Sequence, residues 1–125
     1  MSMTPGLVIV VDDDDAVRQS LKFALEMEGL NVRLYESGDA LLADKDLPVS
    51  GCLVIDYHMP AMDGVELIDR LRRRAVRMPS ILITARATKD LHRRASRSGF
   101  REVLEKPFED EALIDSILEA LTIPA

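Results

Sequence analysis

The chain has 125 residues, 47% of them hydrophobic and 30% charged, with a formal net charge of −6. That length supports one domain with a single good core, and that balance excludes a disordered chain. No apolar run approaches the roughly 20 residues that span a bilayer, residues 1–6 lack the basic region of a signal peptide, and the lone Cys52 excludes an internal disulfide.

Leu7 to Val11 is an apolar run rich in valine and isoleucine, the pattern of a buried parallel strand, and it runs into Asp12 and Asp13. Asp14 to Glu28 reads as a helix with Val17, Leu21, Ala24 and Leu25 on one stripe. Asp14 and Asp15 serve its first turn and Gly29 stops it. Leu30 to Tyr35 is a shorter strand. Ser37 can cap a helix carrying Ala40, Leu41 and Leu42, and Pro48 and Gly51 break the chain.

Cys52 to Ile55 is the third strand, with Cys52 expected as a buried structural thiol, and it ends in Asp56. A loop to Gly64 follows, then a helix with Val65, Ile68 and Leu71 inward. Ser80 to Thr84 is the fourth strand. Thr88 to Ser98 is helical by periodicity but has only Leu91 and Ala95 for an inner face, and Gly99 ends it. Val103-Leu104 is a short fifth strand before Lys106-Pro107, and Glu109 to Leu121 is a helix with Leu113, Ile114, Ile117, Leu118 and Leu121 as its stripe.

Strands alternating with helices imply an α/β, doubly wound fold: a five-stranded parallel sheet covered on both faces. A strand order of 2-1-3-4-5 would make the strands carrying Asp12, Asp13 and Asp56 neighbours at the switch point, where such folds place their sites. Clustered carboxylates repel one another, so the group is expected to hold a cation. Hard oxygen ligands on a short acidic turn suit Mg²⁺. Thr84, Ala85 and Lys106 end the fourth and fifth strands and would ring the same edge.

Val11-Asp12-Asp13, Asp56 with Met59-Pro60-Ala61-Met62-Asp63-Gly64, Ile83-Thr84-Ala85 and Lys106-Pro107-Phe108 occur in that order without gaps. In these motifs the chain resembles the receiver domain of two-component response regulators, a CheY-like superfamily with a flavodoxin-like fold, from about residue 6 to about residue 121. The run Glu105-Lys106-Pro107-Phe108-Glu109 is most similar to the FixJ-type branch.

The resemblance implies a phosphoacceptor at Asp56, supplied by a sensor histidine kinase or phosphotransfer protein. It implies Mg²⁺ held by Asp12, Asp13, Asp56 and the backbone carbonyl of His58. Thr84 and Lys106 would contact the phosphoryl oxygens, Ala85 would leave room for the donor, and the Lys106-Pro107 bond would be cis. Phosphoryl transfer passes through an anionic transition state that needs positioning and charge rather than covalent help, which is what this residue set offers. The protein is expected to be a signalling phosphoacceptor rather than an enzyme, with weak self-catalysed phosphorylation and dephosphorylation. His58 and Arg86, two residues beyond Asp56 and Thr84, hold positions that tune acyl-phosphate lifetime in that family.

One departure concerns the switch. The family swings an aromatic ring three residues before the lysine, where this chain has Val103, so Thr84 and the fourth strand, fourth helix and their loop are expected to switch by a smaller rotamer change. Residues 70–106 hold 12 of the 16 Lys and Arg against three acids, a net of +9, and the remainder carries −15. A two-fold dimer could therefore set Lys89, Arg93, Arg94 and Arg97 against Glu111, Asp115 and Glu119 of a mate. No helix-turn-helix accompanies these arginines, so direct nucleic-acid binding is not expected, nor is a membrane role. A haloacid-dehalogenase-type phosphatase would need an acid where His58 stands, and a flavin binder would not place four aspartates at its phosphate loop. Residues 1–125 are read as a single cytoplasmic receiver domain. No effector domain is expected within this sequence after Leu121, and the reading leaves open a stand-alone receiver or the first part of a longer regulator.

Overall fold

The computed structural model describes residues 6–122, so the readings made for residues 1–5 and 123–125 lie outside it. Five strands alternate with five helices: β1 (Leu7–Val11), α1 (Asp15–Met27), β2 (Asn31–Tyr35), α2 (Gly38–Ala43), β3 (Cys52–Asp56), α3 (Gly64–Arg73), β4 (Ser80–Thr84), α4 (Lys89–Ser98), β5 (Glu102–Glu105) and α5 (Asp110–Leu121). The strands are all parallel and lie in the order β2-β1-β3-β4-β5, as the alternation predicts.

The two-residue period of a strand sends neighbouring side chains to opposite faces. Ile9, Val11, Leu53, Ile55 and Leu82 accordingly meet Leu41, Leu67, Ile68, Leu71, Leu91 and Ala95 of α2, α3 and α4. Val8, Val10, Cys52, Val54, Ile81 and Ile83 meet Leu21 and Leu25 of α1 and Leu113, Ile114 and Ile117 of α5. Each such side chain contributes about 1.5–3 kcal/mol on burial, so both sheet faces are fixed and the register with them. Cys52 is fully buried and its thiol is pushed up to about 12 by that burial, a structural role.

Helix starts follow from short polar caps. Asp14 accepts from the backbone N–H of Ala16 and Val17, Ser37 from that of Ala40, and Thr88 from that of Leu91. Asp63 and Glu66 form a reciprocal capping box at α3, and Gly99 closes α4 with φ of 99°. Each cap is worth about 1 kcal/mol.

Three details differ from the sequence reading. The strand expected at Val103-Leu104 is longer, because Glu102 and Glu105 pair with Ile81 and Thr84; acidic side chains at an edge strand hide it from pattern recognition. Leu118 is 40% exposed rather than part of the α5 stripe, and Ala120 packs inside instead. Asp14, Thr88 and Glu109 stand just outside their helices as capping residues rather than within them. No helix of the described residues is long and apolar enough to cross a membrane.

Candidate functional site

Parallel pairing aligns the carboxyl ends of the central strands. Val11 stands opposite Ile55, Asp56 opposite Ile83, and Thr84 opposite Glu105. Asp12, one residue past β1, and Asp56, the last of β3, are only 1% and 6% exposed. Asp13 is exposed beside them, and carboxylate oxygens of all three lie within 4.8 Å of one another.

Asp12 is held from several sides. Its backbone N–H donates to the Tyr35 carbonyl, its carbonyl accepts from the Arg18 guanidinium at 2.7 Å, and its Oδ1 accepts from the Asp14 N–H at 2.9 Å. Its Oδ2 is buried and has no hydrogen-bond partner. Lys106 Nζ lies 3.6 Å from that oxygen and 3.7 Å from Asp56 Oδ1. One ammonium therefore faces two carboxylates, with a third, that of Asp13, clustered beside them.

The imbalance shows in the acids themselves. Burial foremost, then the Asp12 charge, pushes Asp56 up to about 6 against the opposing pull of Lys106. Asp12 is raised as well, chiefly by burial, despite the Asp14 N–H and Lys106. A buried carboxylate oxygen without a donor, set among other hard oxygens with excess negative charge, fits a small divalent cation such as Mg²⁺.

The loop after β3 folds back tightly on the strand. Tyr57 N–H donates to the Ile83 carbonyl and Gly64 N–H to the Tyr57 carbonyl. A Cβ on Gly64 would lie 2.7 Å from the Asp56 carbonyl oxygen and 2.9 Å from Leu82 Cδ1, so only glycine allows α3 to start this close to the site. An open hollow of about 470 Å³ lies beside Asp13, lined also by Tyr57, His58, Met59, Pro60 and Asp63. The His58 side chain is exposed, with its ring edge-on to Tyr57 at 4.8 Å between centroids.

Thr84 is buried at the same edge, but its hydroxyl is engaged locally. It accepts from the Arg86 N–H at 3.2 Å and donates to the Arg86 carbonyl at 3.3 Å, closing the turn after β4. The adjoining Ala85 and Arg86 side chains are exposed. Lys106 N–H donates to the Thr84 carbonyl, and the Lys106-Pro107 bond is cis as the resemblance implies. Val103 stands opposite Leu82 and packs half-buried against the core.

Sequence reasoning missed one constellation. Arg94 donates to the Tyr57 hydroxyl at 2.8 Å, comes within 3.8 Å of Asp63, and sits 5.8 Å from the Tyr57 ring centroid. The signal was present, since Arg94 lies three residues after the inward Leu91 and so borders the packed face of α4. Two of the residues expected to pair between copies have partners within the chain, Arg94 with Tyr57 and Asp63, and Glu119 with Arg101 at 2.9 Å. Lys89, Arg93, Arg97, Glu111 and Asp115 remain exposed.

Comparison with known proteins places this geometry in context. The chain is similar to the transcriptional regulatory protein FixJ of Rhizobium meliloti (strain 1021), 40% identical over 118 residues that make up 94% of this chain and 58% of that protein. The C4-dicarboxylate transport transcriptional regulatory protein DctD of Pseudomonas aeruginosa is 39% identical over 93% of this chain and 25% of its own length. The crystal structure of FixJ-N superposes with a TM-score of 0.88 at 38% identity, covering 98% of this chain and 99% of that one. The chain thus spans little more than half the length of the full-length FixJ relatives it matches. The family model for the response regulator receiver domain matches residues 8–118, a stretch that takes in all of the sheet but Leu7, together with the acid edge. On that ground the chain belongs to the receiver domains of two-component response regulators.

Proposed function

We propose that Asp56 is the phosphoacceptor of this receiver and that Asp12, Asp13, Asp56 and the backbone carbonyl of His58 hold the Mg²⁺ the reaction uses. The observation that carries this reading is the convergence of Asp56, the unpartnered Asp12 oxygen and Lys106 at one sheet edge. A carboxylate oxygen of Asp56 attacks phosphorus and forms the acyl phosphate. The P–N bond to the donor histidine breaks, and the imidazole leaves with the electron pair.

Bound Mg²⁺ supplies positive charge that keeps the acids ionised and screens them from the incoming anion. Lys106 pairs with the phosphoryl oxygens from the other side. The Thr84 hydroxyl turns its proton from the Arg86 carbonyl to a phosphoryl oxygen, and this draws the β4–α4 turn inward. Ala85 leaves the donor's approach open. Arg86 and His58 border the site and tune the lifetime of the acyl phosphate, whose slow self-catalysed formation and hydrolysis are all the turnover expected.

The phosphoryl donor is a sensor histidine kinase or phosphotransfer protein. Output leaves through α4, β5 and α5, where Lys89, Arg93 and Arg97 can face Glu111 and Asp115 of a second copy. Beryllofluoride with Mg²⁺ should then raise the molecular mass in light scattering, and an unchanged monomer at high concentration refutes the dimer. For the acceptor itself, intact mass after acetyl phosphate and Mg²⁺ should show one added phosphoryl group in the wild type and none in Asp56→Asn. A group that survives the substitution moves the site elsewhere.

A further inference from the structure

Helix α4 is weakly anchored by apolar contacts, with only Leu91 and Ala95 of its ten residues buried. Its outer residues are predominantly charged and polar, and hydrophobic packing is what ordinarily holds a helix in place. Arg94 supplies a second attachment. Its guanidinium reaches the Tyr57 hydroxyl at 2.8 Å and Asp63 Oδ2 at 3.8 Å, at the two ends of the loop between β3 and α3.

Both ends of that loop are tied to the acid site. Tyr57 follows Asp56 directly, and its N–H is fixed to the Ile83 carbonyl, one residue before Thr84. The Tyr57 ring packs half-buried against the core and edge-on to His58. Asp63 caps α3 through its bond to the Glu66 N–H at 2.8 Å. Reorientation of the peptide between Tyr57 and Met59 would therefore move the phenol that Arg94 grips.

We propose that Arg94 and Tyr57 position α4 against the loop of the acid site, clasping the two so that the state of Asp56 is passed to this helix. The route bypasses Val103, whose short side chain is packed against the core and offers no ring to swing. A neutral hydroxyl and a carboxylate together suit a guanidinium, which donates from a fixed planar fork and stacks on aromatic faces. The inference rests on the proposed phosphoacceptor role of Asp56, and its test separates the two.

Backbone amide shifts are recorded for the wild type, Tyr57→Phe, Arg94→Met and the double variant, each with and without beryllofluoride and Mg²⁺. Amides of Asp13 and Ala85 report the acid site, and those of Leu91 to Ala95 report α4. In the wild type both sets should move. In each single variant the acid-site set should still move, while the α4 response falls at least about threefold. The double variant should lose no more than Arg94→Met alone, because the contact that Tyr57→Phe removes is one that Arg94→Met has already removed. Tyr57→Phe keeps the ring and its packing, so a folded variant is available even if Arg94→Met is destabilised.

An α4 response that persists undiminished in Tyr57→Phe and Arg94→Met overturns the clasp and leaves the phosphoacceptor intact. A wild-type α4 that stays still while Asp13 and Ala85 move overturns it equally. If Asp13 and Ala85 themselves do not move in the wild type, the phosphoacceptor reading fails and the clasp with it.

Discussion

Asp56→Asn should make the metal-free protein more stable at neutral pH and much less so in acid. The folded chain keeps the Asp56 proton up to about 6, raised from an ordinary value of 3.8 by burial and by Asp12. The unfolded chain releases it at that ordinary value. Between the two the folded state binds more protons, so stability falls as pH rises through this window. Two pK units at about 1.4 kcal/mol each give a cost of about 3 kcal/mol once Asp56 is ionised in both states. Near pH 4.5 the cost is only about 1 kcal/mol. Asn has nearly the same shape and no charge, so the variant escapes the cost, and the neighbouring Asp12 carboxylate is relieved in the same direction. Urea unfolding with a chelator present, followed by circular dichroism, should show a gain about 2 kcal/mol larger near pH 7.5 than near pH 4.5, with the slope unchanged. A gain of equal size at both pH values would mean that the charge of Asp56 is not what the fold opposes. No gain at neutral pH would refute the reasoning outright.

Three further outcomes are expected. Mg²⁺ at a hundred times its Kd should raise the wild-type unfolding free energy by about 2.7 kcal/mol; Asp12→Asn should abolish that increment in the same melt if Asp12 is a ligand. Gly64→Ala should destabilise by about 1–3 kcal/mol, since its Cβ would lie 2.7 Å from the Asp56 carbonyl oxygen, and equilibrium denaturation reads this directly. Arg72→Met should cost about 1–3 kcal/mol, because Arg72 satisfies the carbonyls of Val76 and Met78 at 2.8 and 3.1 Å. Its phosphorylation by acetyl phosphate, followed by intact mass, should match the wild type.

What the sequence made legible was whatever had a single physical cause. The runs Leu7–Val11, Cys52–Asp56 and Ser80–Thr84 are apolar because both of their faces are covered, and that alone gave the central strands within a residue. Asp12 and Asp56 were legible as site residues because an acid at the end of such a strand has no structural reason to be there. The β5 ends were hidden because Glu102 and Glu105 owe their places to partners far along the chain. Glu102 accepts from the Ser116 hydroxyl at 2.6 Å and Glu105 from the Ala87 N–H at 2.8 Å. Leu118 was misplaced for a related reason, since a helix with an apolar stripe wider than its contact leaves one edge in water.

The site divides along the same line. Residue type and spacing brought Asp12, Asp13, Asp56, Thr84 and Lys106 to one edge, but they said nothing of which atoms are satisfied before any ligand arrives. The Thr84 hydroxyl is spent on the Arg86 backbone, whereas the Asp12 Oδ2 accepts no hydrogen bond and has only the Lys106 ammonium 3.6 Å away. That contrast orders the expected events. An orphaned buried carboxylate oxygen raises the energy of the folded protein, so a cation that reaches it is favoured before any phosphoryl group is present. The hydroxyl must give up its bond to the Arg86 carbonyl to engage a phosphoryl oxygen, so it can respond only to an acceptor stronger than a backbone carbonyl, which a charged phosphoryl oxygen is. On the proposed function, the acid cluster would therefore load first and the β4–α4 turn would move second. Restraint of that turn falls to the Glu105 carboxylate on the Ala87 N–H and, through α4, to Arg94.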